Sequence, residues 1–362
     1  MLLRLERLPP LAARRLARAA RDCGGRAEIS GPLEERILAA EVPPASWNRL
    51  RRRLLRGGPP LPGIAREIHS ALRACYRPPR TLLLARRWIR LGRRTLIQGV
   101  LNVTPDSFYD GGRHADSNLA VQRALQMAEE GAGLVDIGGE STRPGSRTVS
   151  AREEIRRILR VVEALSGRLP VPISVDTTKS EVAAAALEAG AEVINDVSGL
   201  SFDPRMAEVA ARYRAGLIIS HIQGRPWTMQ KSPRYRHLIP EVLAFLRNGV
   251  RQALKAGVRP GSILIDPGIG FGKSAWHNVM LLRHLRALRA TGYPVMVGAS
   301  RKSFLAKLQE RDQGPGDRLD ASLGTAAAAI WYGASALRVH DVAATVRAAR
   351  CVESVRDVRV DP

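Results

Sequence analysis

From Thr95 onward, short apolar runs and amphipathic stretches alternate with little interruption. The runs fall at 95–102, 134–138, 172–176, 193–197, 217–221, 263–266, 295–299 and 336–340. Each has the length and the β-branched or Leu-rich make-up of a buried strand. Between them apolar positions recur at helical spacing over 117–131, 150–166, 179–190, 205–214, 237–256, 276–290, 317–332 and 342–355. Eight consecutive βα units of this size predict an α/β fold, a (β/α)8 TIM barrel. A doubly wound open sheet is the rival, but the chain offers no Gly-x-Gly-x-x-Gly turn after a strand.

The first 86 residues read differently. Helical pieces at 9–22, 32–40, 44–56 and 62–76 are separated by Gly24-Gly25, Gly31-Pro32, Pro43-Pro44, Gly57-Gly58-Pro59-Pro60 and Pro78-Pro79. This predicts an Arg-rich, mostly helical N-terminal extension over 1–86, of unknown role, preceding a barrel domain over 87–362. Trp88 to Thr95 reads as a hairpin centred on Gly92 that introduces the barrel.

Each strand ends on residues that an apolar core does not select. They are Asn102; Asp136 before Gly138-Gly-Glu-Ser-Thr-Arg-Pro-Gly145; Asp176-Thr-Thr; Asn195-Asp196; and Ser220-His221-Ile-Gln223. The last three strands add Asp266-Pro-Gly-Ile-Gly-Phe-Gly-Lys273, Gly298-Ala-Ser-Arg-Lys302 and Arg338-Val-His340-Asp341. Asp196 and Asp341 read as caps of the helices that follow. All eight ends together mark the C-terminal rim of a barrel as a catalytic face.

Sorted by chemistry, Asp176, Asn195 and Asp266 suit a flat heterocycle bearing several N–H and carbonyl groups. Thr142, Arg143, Arg338 and His340 suit an anionic group, because guanidinium forks match phosphate. Asn102 is an oxygen ligand suited to Mg²⁺. Lys302 and Ser303 open the helix after the seventh strand, where free N–H groups favour a carboxylate. His221 and His277 lack the partner spacing of a zinc site, and Ser141 and Ser300 lack a nucleophile elbow. The glycines at 268, 270 and 272 read as letting backbone approach a ring or another strand.

Composition narrows the class without changing the fold. The chain has 362 residues, 45% apolar and 4% aromatic. No apolar run approaches the roughly 20 residues of a membrane span. Cys23, Cys75 and Cys351 form no C-x-x-C pair, which points to a reducing cytoplasm. The net charge of +23 is uneven: residues 1–94 carry 22 Arg against 7 acidic residues. Only six basic residues in the chain are Lys, so the excess reads as compositional, although Arg51-Arg52-Arg53 could meet phosphates. Met1 to Arg21 has the Arg content of an organellar transit peptide but almost no Ser.

Taken in order, Asn-Val-Thr-Pro-Asp-Ser-Phe108, Gly-Gly-Glu-Ser-Thr-Arg-Pro-Gly145, Asp-Pro-Gly-Ile-Gly-Phe-Gly-Lys273, Ser-Arg-Lys302 and Arg-Val-His-Asp341 resemble the dihydropteroate synthase family. These are the folate-pathway enzymes targeted by sulfonamides. The resemblance runs from about Trp88 to Val355 and implies a pterin-binding TIM barrel. The reaction it implies joins 6-hydroxymethyl-7,8-dihydropterin diphosphate to p-aminobenzoate. It places the pterin on Asp176, Asn195, Asp266 and Lys302, and Mg²⁺ with diphosphate on Asn102, Thr142, Arg143, Arg338 and His340. It places p-aminobenzoate near Phe108, Pro144, Phe271, Lys302 and Ser303. Asp110 is expected to latch the loop after the first strand. The departing diphosphate would leave an SN1-like, ring-delocalised cation for the aniline nitrogen, so no activated protein nucleophile is needed. Ile222 stands where the family usually has Met. A cytoplasmic homodimer acting on small molecules, with no membrane or nucleic-acid partner, is the expected setting. The competing readings are a pterin- or folate-binding methyltransferase and an inactive barrel serving as an interaction protein.

Overall fold

The structure, a computed structural model, describes residues 2–30, 36–42, 44–76, 79–103, 112–141, 145–146, 148–309 and 314–357. The chain divides into two compact units, Met1–Tyr76 and Arg77–Pro362.

The first unit runs β1 (Leu2–Leu8), α1 (Pro10–Asp22), β2 (Arg26–Ser30), β3 (Arg36–Glu41), α2 (Trp47–Leu55) and α3 (Leu61–Tyr76). Pro10 opens α1, where the missing N–H has no intrahelical partner to lose. Ala13, Leu16, Ala17 and Ala20 of α1 bury one face against Leu50, Leu54, Leu61 and Ile68. The strands form an antiparallel sheet in the order β1-β3-β2. Of the segment expected as a helix over 32–40, the described part, from Arg36, belongs instead to strand β3, and residues 32–35 lie outside the described residues. A segment this short between Gly31-Pro32 and Pro43-Pro44 is marginal as a helix. As the central strand it gains ladder bonds on both sides.

The second unit opens with β4 (Thr81–Leu83) and β5 (Trp88–Arg90), paired antiparallel. The hairpin thus lies upstream of the position expected from Gly92. Its turn is closed by Leu84 N–H to the Arg87 carbonyl at 2.9 Å, while Gly92, at φ +113°, follows the second strand.

Eight parallel strands follow: β6 (Leu96–Asn102), β7 (Leu134–Gly138), β8 (Ile173–Asp176), β9 (Val193–Asp196), β10 (Gly216–Ser220), β11 (Ile263–Asp266), β12 (Met296–Val297) and β13 (Ala336–Val339). They alternate with α4 (Gly112–Glu129), α5 (Ala151–Leu165), α6 (Ser180–Glu188), α7 (Met206–Arg212), α8 (Leu238–Lys255), α9 (Ala275–Arg283), α10 (Leu285–Leu288), α11 (Phe304–Gln309), α12 (Leu319–Trp331) and α13 (Val342–Asp357). The sheet order is β11-β10-β9-β8-β7-β6-β13-β12. A parallel bridge from Ile265 to Val295 brings its two ends together, and Ile265 N–H donates to the Pro294 carbonyl at 3.0 Å. This is the (β/α)8 TIM barrel expected from the eight repeated units.

The period of two along each strand stratifies the interior. At the base, Leu96, Leu134, Val193, Ile218, Leu264, Met296 and Ala336 pack together with Leu82, Leu84 and Leu91 of the hairpin region. The hairpin is thus an apolar plug. Two residues further along their strands come Gln98, Asp136, Asn195 and Arg338, joined by Ser174 of β8. The opposite strand face is aliphatic and packs on the helices through residues such as Ile97, Val135, Ile137, Val175, Ile194, Leu217 and Ile219. No helix among the described residues is long and apolar enough to cross a membrane.

Candidate active site

The polar layer above the plug is one connected network. Asp136, with no exposed surface, accepts from Ser174 Oγ at 2.6 Å, Asn195 Nδ2 at 3.0 Å and Arg338 Nε at 2.6 Å. Gln98 Nε2 donates to Ser174 at 3.3 Å. Arg338 extends its second arm to Asp176 Oδ2 at 2.7 Å. Arg338 therefore ties two buried carboxylates across the barrel, and those charges raise its pKa further. Burial pushes the Asp176 carboxyl up to about 7 against the pull of Arg338, with Asp136 adding to the rise.

Asp176 and Asn195 are register partners on adjacent strands. Asp176 Oδ1 and Asn195 Oδ1 are buried, and neither has a hydrogen-bond partner in the protein. Buried acceptors without donors are costly. Gln98 Oε1 in the same network is likewise unpaired, but the two on Asp176 and Asn195 stand side by side and form an edge that calls for N–H groups from a ligand.

The loop after β11 supplies the next wall. Asp266 accepts from Gly268 N–H at 2.6 Å, and burial raises its pKa. Gly268 and Gly272 have φ of +66° and +64°, and a Cβ on either would overlap the carbonyl of His221 or Gln223. These glycines bring the loop's backbone against the end of β10. Lys302 Nζ donates to the Ile269 carbonyl and lies 4.3 Å from the centre of the Phe271 ring. Burial lowers its pKa to about 8, while the charge of Asp266 pulls it back up. Ser303, next to it, is exposed.

At the rim, Asn102 ends β6, and its Oδ1 stands 3.7 Å from the point where Gly138 would carry a Cβ. His340 Nδ1 is 3.1 Å from Ser300 Oγ. Among the described residues, no three His, Cys, Asp or Glu form a ready metal cage. A hard oxygen donor beside a glycine fits Mg²⁺, which commonly takes few protein ligands and fills its sphere with water and phosphate.

Asn102, Asp176, Asn195, Asp266, Phe271, Lys302, Ser303, Arg338 and His340 thus all lie on β6, β8, β9, β11 and β13 or on the segments that leave the barrel strands at that end. Phe108, Asp110, Thr142, Arg143 and Pro144 lie outside the described residues. Asp196 caps a turn rather than a helix, accepting from Ser198 N–H and Leu200 N–H at 2.8 Å each. Among the described residues no N–H of α13 donates to the Asp341 carboxylate, which instead takes the guanidinium of Arg301, a residue at φ +57°.

Three features escape the sorting of strand-end residues by chemistry. Gln98 lies inside β6, and Asp136, read as the end of its strand but given no role, lies inside β7; only their phase with Asn195 and Arg338 marks them as inward. Lys273 is buried beneath the rim, with Nζ 2.8 Å from His221 Nδ1 and 2.9 Å from the Phe271 carbonyl. Burial lowers its pKa well below the usual lysine range, and burial together with Lys273 takes His221 down to about 2. Finally, a cavity of 440 Å³ opens beside Asp176, lined in part by Glu140, Glu154, Lys179, Phe202 and Trp227. There Lys179 bridges Glu140 and the buried Glu154.

Residues 98–340 match the family described as pterin binding enzyme. The chain is 44% identical to a dihydropteroate synthase of Synechocystis over 264 residues, 73% of this chain and 91% of that protein. A Xanthomonas albilineans dihydropteroate synthase solved with 4-aminobenzoic acid is 43% identical, with a TM-score of 0.72. The match covers 78% of this chain and all of that one. The Xanthomonas enzyme solved with 7,8-dihydropteroate matches at 40% identity and a TM-score of 0.69, over 77% of this chain and 100% of that one.

Proposed function

The chain belongs to the pterin-binding enzyme family, and from that premise we infer that it is a dihydropteroate synthase. It transfers the pterin-methyl group of 6-hydroxymethyl-7,8-dihydropterin diphosphate to the amine of p-aminobenzoate, giving 7,8-dihydropteroate and diphosphate. The observation that carries this reading is the pair of unsatisfied oxygens on Asp176 and Asn195, which the N–H edge of a pterin would complete.

The pterin lies in the barrel mouth on Asp176, Asn195 and Asp266, with Lys302 donating to its acceptor atoms. The bond from the pterin methylene to the diphosphate oxygen breaks first, and the positive charge spreads into the electron-rich ring. Thr142, Arg143, Arg338 and His340 take the departing diphosphate, which stabilises the charge that develops on it. Asn102 would hold Mg²⁺, which supplies further neutralisation of that leaving group. The aniline nitrogen of p-aminobenzoate then forms the new C–N bond and loses its proton. Phe108, Pro144 and Phe271 wall the aminobenzoate ring, and Lys302 and Ser303 meet its carboxylate. Closure of the loops after β6 and β7, with Asp110 as latch, excludes water at this stage. A cytoplasmic homodimer completes the proposal.

Calorimetric titration with 6-hydroxymethylpterin tests the site itself. Saturable binding is expected, weakened at least roughly 100-fold in Asp176→Ala, because an N–H-accepting carboxylate is lost from a buried site. No pterin binding by the intact chain, or equal binding by Asp176→Ala, would overturn the assignment.

A further inference from the structure

The first unit holds a concave basic site on which the pterin chemistry makes no demand. Arg15 and Arg18 of α1 face Arg49, Arg52 and Arg53 of α2 and Arg56 just beyond it. The α2 series is spaced i, i+3, i+4, i+7, the spacing of one helix face. All six line a single pocket of 580 Å³ whose remaining wall includes the apolar Leu54 and Leu61. Arg53 is paired with Asp22 at 2.6 Å. Among the described residues, no carboxylate pairs with Arg15, Arg18, Arg49, Arg52 or Arg56, and no acidic residue lines the pocket.

Guanidinium groups stay charged at any physiological pH. Gathering them in one concavity focuses a positive field that raises the local concentration of anions. A solvated helix face would spread such charges outward and interleave them with acids. The size falls within the range of pockets that take small ligands, about 300–1,000 Å³. Among the described residues no aromatic side chain lines it, so successive bases of a single-stranded nucleic acid would find no stacking platform there. Trp47, on the same helix, is turned into the core at 9% exposure. The fork geometry of arginine suits several phosphate groups held close together.

We propose that this pocket binds a small polyphosphate anion, the phosphate chain shared by inorganic tripolyphosphate and nucleoside triphosphates. The site is separate in sequence from every residue assigned to pterin, aminobenzoate or diphosphate, and stands whether or not the reaction proposed above is correct.

The test is calorimetric titration of the full-length protein with sodium tripolyphosphate and, separately, with ATP, at about 0.15 M salt to screen delocalised attraction. Two triple variants lose the same formal charge. One is Arg49→Gln/Arg52→Gln/Arg56→Gln within the pocket; the other is Arg14→Gln/Arg66→Gln/Arg73→Gln, whose residues do not line it. Saturable binding is expected, weakened at least roughly tenfold by the pocket triple and less than about twofold by the other. Circular dichroism and melting curves check that both variants remain folded. Equal affinity for the two ligands would assign recognition to the phosphates alone; tighter ATP binding would assign the apolar wall to the nucleoside. Absence of saturable binding, or equal loss in the two triples, would overturn the proposal. So would tighter binding of a 20-nucleotide single-stranded RNA that both triples weaken alike, which would indicate an extended nucleic-acid face.

Discussion

Arg338→Met is the most telling perturbation of the barrel interior. It removes the guanidinium that reaches Asp136 at 2.6 Å and Asp176 at 2.7 Å while leaving an apolar stem of similar length. Asp136 keeps donors from Ser174 and Asn195; Asp176 keeps none among the described side chains. Removing one partner of a buried ion pair costs about 3–5 kcal/mol. For a unit of this size that corresponds to a fall in Tm of roughly 6–20 °C at pH 8. The pH dependence identifies the cause. Burial already holds the Asp176 carboxyl up at about 7 against the pull of Arg338, and without Arg338 it rises further above the unfolded value of about 3.9. A group with a raised folded pKa contributes stability that is present below its unfolded pKa and lost as pH rises through the folded one. The deficit relative to wild type should therefore shrink by at least about 1 kcal/mol between pH 8 and pH 5.5, since each shifted unit of one carboxyl is worth about 1.4 kcal/mol. Denaturant titrations at the two pH values measure it. A deficit that does not change with pH, or a Tm within about 2 °C of wild type, would refute the buried-charge explanation.

Lys302→Ala should lower turnover by about two orders of magnitude or more, through loss of a charged donor at the reacting site, while Tm moves by less than about 3 °C; equal loss of both would make the residue structural. Because the Asp176 carboxyl lies near pH 7 and a pterin's N–H groups require its ionised form, pterin affinity in calorimetry should rise from pH 6 to pH 8. That rise should be flat in Asp176→Asn, and a parallel rise in the variant would exclude Asp176 as the titrating group. Gly268→Ala, at φ +66° with His221's carbonyl in the way, should cost about 2 kcal/mol or more in unfolding titrations; a neutral result would mean the loop yields freely. Asp110→Ala should reduce turnover and raise KM for p-aminobenzoate, and unchanged kinetics would remove the proposed latch.

Much of the barrel was legible because two periods coexist in the chain. A residue such as Ile219 reads as strand from its apolar run, and Leu246 reads as helix from its spacing, whatever their neighbours do. The segment 32–40 was misread because a central strand draws its bonds from partners distant in sequence. The hairpin was misplaced for a related reason: Gly92 offered a turn signal, but burial of Leu82 and Leu84 in the barrel base selected the upstream pairing. In the site, residues at strand ends such as Asp176, Asn195 and Asp266 stood out against apolar runs. Asp136 was read as the polar end of its strand but given no role in the site, although its two-residue phase with Leu134 pointed inward. Lys273 was quoted in a motif, but its burial depends on loop glycines folding back on β10, which no local pattern displays.

The most direct measurement is product formation by the purified protein supplied with 6-hydroxymethyl-7,8-dihydropterin diphosphate and Mg²⁺, with and without p-aminobenzoate. Stoichiometric 7,8-dihydropteroate and diphosphate, formed only when both substrates are present, is the expected result. Diphosphate release without p-aminobenzoate dependence, or no turnover despite pterin binding, would contradict the assignment as a dihydropteroate synthase.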